Sequence, residues 1–261
     1  MKYRCLGKFM LLLCLVVLVF PSVTPSATTE PLSSEQTYLY RATFIRAAPG
    51  KLLDLIDLFK DRMSMHDASG DKRPFWWRHT QGDQWDLMML YPMVSYTEYF
   101  SKERIARRTE AQASSSLSPM EFKKKFQEDT SWYEDIFVMG PPLKIVEKVF
   151  KDTSFYHCEI FIVLPGKHAE LFKQREMENA YLFNLGRPEN LIFTRDRGAA
   201  WDLFTLGCYR DMKHWSASSD IPKEKREAAA IKAGFEGTNQ IGPYMRTLIL
   251  MHRDTIGVAI K

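Results

Sequence analysis

The residues of this 261-residue chain best suited to chemistry fall in two runs that alternate in step. In residues 39–47, Arg41 and Thr43 share one face of an extended segment, and Tyr40, Ala42 and Phe44 share the other. In residues 155–163, His157 and Glu159 oppose Tyr156, Cys158 and Ile160. An imidazole and a carboxylate on one face suit proton transfer, so His157 and Glu159 form the candidate catalytic pair. A guanidinium suits capture of an anion. Two hairpins can be phased around Gly82-Asp83 and Gly198-Ala199. That phasing puts Trp76, Arg78 and Trp85 beside Arg41 and Thr43, and Asp196 and Trp201 beside His157 and Glu159. Arg41, Thr43, Trp76, Arg78, Trp85, Asp196 and Trp201 are therefore expected to wall a polar, aromatic pocket for a small molecule. The same residues also read as a charge-complementary seam, with Arg41 and Arg78 neutralising Glu159 and Asp196.

The phasing sets Asp86 opposite His79 and Asp202 opposite Arg195. Both aspartates read first as cross-strand clasps and second as catalytic groups. Other chemistries find little footing. His66, His79, His157, His168, His214 and His252 include no His-x-His or His-x-x-x-His spacing, so no metal site is expected. The chain has no phosphate loop, nucleophile elbow or dinucleotide fingerprint, and no cofactor is expected from motifs. Cys158 reads as core and could meet Cys208, which falls on the same expected face of a neighbouring strand, so a disulfide and two buried free thiols both stay open. The basic run Lys123-Lys124-Lys125 reads as a solvated helix face, so no nucleic-acid partner is expected.

The elements that must position these residues recur. Shifted by 116 positions, Tyr40, Pro49, Gly50, Lys51 and Leu55 fall on Tyr156, Pro165, Gly166, Lys167 and Leu171. Gly70, Gly82, Trp85, Asp86, Leu87 and Leu90 fall on Gly186, Gly198, Trp201, Asp202, Leu203 and Leu206. Gapless identities clustered in this way suggest a tandem duplication. Each copy predicts a strand, a helix after Pro-Gly-Lys, a hairpin, a second helix and a final strand. The second helices begin at the capping box of Ser118, Pro119 and Glu121 and near Pro222. The last strands are placed at residues 133–139 and 244–252. The expected fold class is α+β: two tandem β-α-β-β-α-β ferredoxin-like repeats. Its expected segments are a signal peptide at 1–27, a flexible linker at 28–36, repeats at 37–142 and 153–261, and a connection at 143–152. The more apolar strand faces are expected to pack on helices, leaving the mixed faces toward the facing sheet.

With its Pro-Gly-Lys strand ends, Gly-x-x-Trp-Asp-Leu segments and β-α-β-β-α-β order, the chain resembles the dimeric α/β-barrel superfamily. The resemblance is greatest to its NIPSNAP-like and antibiotic-biosynthesis-monooxygenase-like domains and covers residues 37–261. It implies two sheets paired face to face and forming an intramolecular α/β barrel, supplied here by one chain as a monomeric pseudo-dimer or in a homo-oligomer. It also implies a range of activities, from cofactor-independent oxygenases to haem proteins and non-catalytic binders, so haem is a conceivable cofactor. The expected function is an exported small-molecule-binding protein. The alternatives are a cofactor-independent oxygenase or isomerase acting on an aromatic or anionic substrate, and a structural protein with a filled barrel.

Composition sets the compartment. At 45% apolar and 26% charged residues the chain is neither disordered nor a multi-span membrane protein. Lys2, Arg4 and Lys8 precede an uncharged apolar run at residues 9–20 and then small or helix-breaking residues to Ala27. That order reads as an export signal, too short to span a bilayer comfortably. The expected location is periplasmic or secreted, with an uncleaved membrane anchor as the alternative. Removal of the segment lowers Lys+Arg from 36 to 33 against 32 Asp+Glu, so the basic balance belongs mainly to the signal.

Overall fold

The computed structural model describes residues 31–32 and 35–260, so the expected signal at 1–27 lies outside the described residues. Strands β1 (Tyr38–Ala47), β2 (Phe75–Gln81), β3 (Leu87–Val94) and β4 (Thr130–Gly140) belong to the first half. Strands β5 (Phe155–Val163), β6 (Leu191–Arg197), β7 (Leu203–Tyr209) and β8 (Ile249–Ala259) belong to the second. The first half carries helices α1 (Leu52–Asp61), α2 (Met63–Ser69), α3 (Tyr96–Tyr99), α4 (Lys102–Ala113) and α5 (Pro119–Asp129), and α6 (Leu143–Phe150) joins the halves. The second half carries α7 (His168–Asn184), α8 (Met212–Ser216), α9 (Lys223–Lys232) and α10 (Ile241–Arg246).

Local chemistry accounts for the shared starts. Gly50 and Gly166 sit at φ 77° and 78°, a left-handed conformation that spares glycine a Cβ clash. The amides of Lys51 and Lys167 then close onto the carbonyls of Ala48 and Leu164. The i, i+3, i+4 spacing of Leu55, Ile56, Leu58 and Phe59 buries one face of α1. Helix α5 starts on the capping box, with Ser118 and Glu121 each accepting the other's backbone N–H.

All eight strands form one closed antiparallel barrel in the order β1-β3-β2-β8-β5-β7-β6-β4. The halves meet through β2–β8 and β4–β6, so each half's hairpin pairs with the other half's last strand. Gly82 lets the first hairpin turn approach β8, because a Cβ there would lie 2.2 Å from the Asp254 carbonyl oxygen.

Strand parity holds, but its orientation is the reverse of the expectation. Tyr40, Ala42 and Phe44 join Tyr156, Cys158 and Ile160 in one buried cluster supplied by both halves, which fills the barrel interior. Arg41 and Thr43, like His157 and Glu159, point outward toward the helices. An eight-stranded barrel is just wide enough for side chains to fill it. Its interior is therefore the driest place in the molecule and takes the apolar faces. At one mouth, α6 lays Val146 and Phe150 on this cluster, with Phe150 stacked 5.3 Å from Tyr156. At the opposite mouth, Trp85 and Trp201 close on Phe44, with ring centroids 5.5 and 6.0 Å away.

Three local expectations need correction. The stretch at 143–152 contains a helix rather than a plain connection, because its apolar side seals the barrel. Within 28–36 the described residues are docked rather than flexible: the Leu32 amide donates to Glu189, and Gln36 donates to the Ile192 carbonyl. The last strand starts at Ile249, and residues 241–246 are helical. Cys158 and Cys208 are both buried free thiols; Cys158 sits opposite Leu206, and Cys208 opposite Tyr156.

Candidate functional site

The nine expected site residues do not gather in the lumen. Trp85 and Trp201 are interior core. Trp76 lies on the outer face against Phe59, and Arg78 lies in an exposed outer groove beside Ser154 and Val258. Asp196 accepts from the Tyr96 hydroxyl at 2.5 Å near the end of β6. The expected Arg41–Glu159 seam does not form, because β1 and β5 stand four places apart in a ring of eight. Arg41 instead lies 3.7 Å from Asp135, and Glu159 lies 3.5 Å from Arg175.

Asp202 is the expected cross-strand clasp on Arg195, whereas Asp86 holds a backbone amide of β1 rather than His79, whose Nε2 has no hydrogen-bond partner among the described residues. The Asp86 carboxylate accepts the Ala47 amide and that of Asp202 the Val163 amide, both at 2.8 Å. Arg195 and His168 also contact Asp202, at 2.6 and 3.2 Å. Burial alone would raise the Asp202 carboxyl, but the Val163 amide and these partners hold it below its ordinary range.

Two outer faces remain, and they carry different chemistry. In the first half, β1, β3 and β4 present Arg41, Thr43, Tyr91 and Asp135 to a cavity of about 290 Å³ roofed by α2, α4 and α5. This volume sits at the lower end for small-ligand pockets. Thr43 donates to Asp135 at 2.5 Å, and the Arg41 guanidinium lies 4.3 Å over the Tyr91 ring. Arg41 Nε is shielded from solvent and has no hydrogen-bond partner among the described residues. Arg62 stacks 3.8 Å over Phe122 and donates to the Met65 sulfur, and among the described residues it forms no ion pair. Asp71, by contrast, is claimed by Arg104 and Arg108. Burial pushes the Tyr91 phenol up to about 12 and lowers His66, so both are neutral at pH 7.

In the second half the matching positions hold His157 and Glu159. Where the first half places Phe59, the second places Arg175, 116 residues on. Glu159 Oε2 accepts from Thr205 at 3.0 Å and faces Arg175 at 3.5 Å. His157 Nε2 lies 3.1 Å from Asp254 Oδ1, and His252 Nε2 lies 3.2 Å from Asp254 Oδ2. Burial alone would lower His157, but the contact with Asp254 and the charge of Glu159 hold it above its ordinary value. The long-range convergence that the histidine spacing seemed to deny is present. One donor atom each from Glu159, His252 and Asp254 lies within 4.8 Å of the others. The missed signal is His-x-Glu in β5 and His-x-Asp in β8, which put both members of each pair on one strand face.

A wider groove of about 820 Å³ lies at the turn after β1, beside Arg46, Gln84 and Trp132. It is open to solvent, and its carboxylate, Asp86, is already held by Ala47.

Solved structures share this architecture at low identity. An anthrone oxidase-like protein matches with a TM-score of 0.51 and 14% identity, over 88% of this chain and 95% of its own. A provisionally assigned monooxygenase from Fusobacterium nucleatum subsp. nucleatum gives 0.52 and 12%, over 86% and 93%. Another, from Lactobacillus acidophilus, gives 0.50 and 7%, over 85% and 93%. No family model matches the sequence, and no curated protein matches it. The chain thus shares the ferredoxin-like α/β-barrel fold of these structures, closed within one polypeptide. Fold alone does not choose a chemistry. Haem, which the resemblance keeps possible, does not fit the cavity of about 290 Å³ that His66 lines, because Phe59, Phe122 and Phe126 line the same space.

Proposed function

We propose that the protein binds a small aromatic anion in the first-half cavity. The observation that carries this reading is Arg62, a guanidinium stacked on Phe122 without a carboxylate partner among the described residues. Arg41 Nε offers a second donor nearby, and Phe59, Phe126, Tyr91 and Tyr133 supply aromatic walls. A planar carboxylate or phenolate satisfies both demands: its ring packs on the walls and its charge meets the arginines. The NIPSNAP-like affinity within this proposal rests on the Pro-Gly-Lys and Trp-Asp-Leu segments. Export as the compartment rests on the order of basic, apolar and small residues in 1–27. Among the described residues no helix is long and apolar enough to cross a membrane.

Calorimetric titration with benzoate, salicylate and 4-hydroxybenzoate tests the reading. Expected is binding by at least one acid that falls about tenfold or more in Arg62→Met, the loss of one charge-assisted contact. Equal affinity in Arg62→Met, or no binding by any of these acids, overturns it.

The enzymatic alternative makes His157 and Glu159 the proton-transfer groups of a cofactor-independent oxygenase or isomerase. The His157–Asp254 contact supports it, since a carboxylate orients an imidazole for that work. The aromatic cavity, however, lies across the barrel from His157, so binding is the reading the geometry favours.

A further inference from the structure

We propose that the outer face of β5 and β8 is a metal site, in which Glu159, His252 and Asp254 hold one divalent first-row cation. Glu159 and Asp254 are direct cross-strand partners in the β5–β8 ladder, and like charges so placed destabilise a sheet. A cation between them turns that cost into an attraction. His252 stands two residues before Asp254 on the same strand face, and its ring is fixed by stacking on Phe161 at 5.7 Å.

The donors are prepared for an ion. Thr205 and Arg175 both contact Glu159 at Oε2, which fixes the carboxylate and leaves Oε1 to bind. Asp254 is held from the other side by His157, an outer partner of the kind that orients a ligating carboxylate. The side chains of Glu159 and His252 are 14% and 16% exposed, whereas that of Asp254 is 52% exposed, so the site is backed by protein and open on one side. Three protein ligands and an open side describe a centre that keeps a position for water or substrate. One imidazole with two carboxylates suits Zn²⁺, Fe²⁺ or Mn²⁺ better than Mg²⁺, which prefers oxygen ligands alone. The site lies across the barrel from the aromatic cavity, so it stands or falls independently of the ligand proposed there.

The test is calorimetric titration of the chelator-treated protein with Zn²⁺, with Mg²⁺ as contrast and thermal melting in parallel. Expected are one Zn²⁺ per chain, a raised melting midpoint and a much weaker response to Mg²⁺. Asp254→Asn and Glu159→Gln should each weaken Zn²⁺ binding about 100-fold or more, while His157→Gln should weaken it about 10–100-fold with the stoichiometry still one. Glu159→Gln keeps the shape that meets Thr205, so it decides the matter if Asp254→Asn does not fold. Absence of stoichiometric Zn²⁺ binding, or a folded Glu159→Gln variant that binds as tightly as the parent, overturns the proposal.

Discussion

Asp202 accepts an amide from the strand beside it while Arg195 and His168 contact its other oxygen. Asp202→Asn keeps an acceptor for Val163 but loses the charge. The expected loss of stability at pH 7 is about 1.5–3 kcal/mol, the range for hydrogen bonds to charged groups. Because the folded carboxyl titrates below its unfolded value, its stabilising contribution is complete above about pH 4. It disappears as pH falls through the folded value. Denaturant unfolding at pH 7 and pH 3 checks the sign: a gap between parent and variant that widens in acid would refute the assignment. The clasp was legible in the sequence because hairpin phasing put a cation across from Asp202. Arg62 and His66 were not. Arg62 enters the site from the turn between α1 and α2 and His66 from α2, whose rotation no strand parity fixes, and Arg62 is notable for the carboxylate it lacks among the described residues rather than for any motif. His252 and Asp254 were hidden by distance, since their partner Glu159 lies more than ninety positions away and only a ladder register joins them.

Among the elements, α6 shows how a connection can act as core. Leu143, Ile145, Val149 and Phe150 pack on the lumenal cluster, and the Phe150 ring meets Phe75, Trp77 and Tyr156. Phe150→Ala should destabilise by about 2–3 kcal/mol, somewhat below the range for a fully buried phenylalanine because this one is only half-buried. Thermal melting would show it, and an unchanged midpoint would mean that α6 does not seal the mouth. The charged residues of 143–152 and the two prolines before them disguise this helix as a linker. The inverted strand faces have a similar cause. Parity comes directly from the period of two, but which face lies inside depends on how many strands close the ring. Arg41, Thr43, Trp76 and Arg78 share the outer face, but Trp85 of the same expected group turns into the lumen, and Arg78 lines a different groove from Arg41 and Thr43.

At the scale of the molecule, the two halves have separate helix-covered layers but a common interior. Ile45, Leu55 and Phe59 belong to one layer, and Phe161, Leu171 and Ile249 to the other. The lumen takes Phe44, Trp77 and Trp85 from the first half and Phe193, Trp201 and Phe204 from the second. A half taken alone would expose that lumenal face and leave β2 or β4, or their counterparts β8 and β6, as unpaired edges. The two halves are therefore expected to unfold together despite their similar element order. In urea, tryptophan fluorescence and far-ultraviolet circular dichroism should give coincident transitions. The m-value should correspond to surface exposed by the whole barrel, since m grows with that surface. Two resolved steps, or an m-value fitting half the chain, would mean that the cross-half ladders add little and that each helix-covered layer suffices. A single step would also explain how the two outer faces could diverge into an arginine-lined cavity and a histidine–carboxylate cluster. Stability is vested in the lumen they share, so the outer positions of β1 and β5 are free to change chemistry without changing the fold.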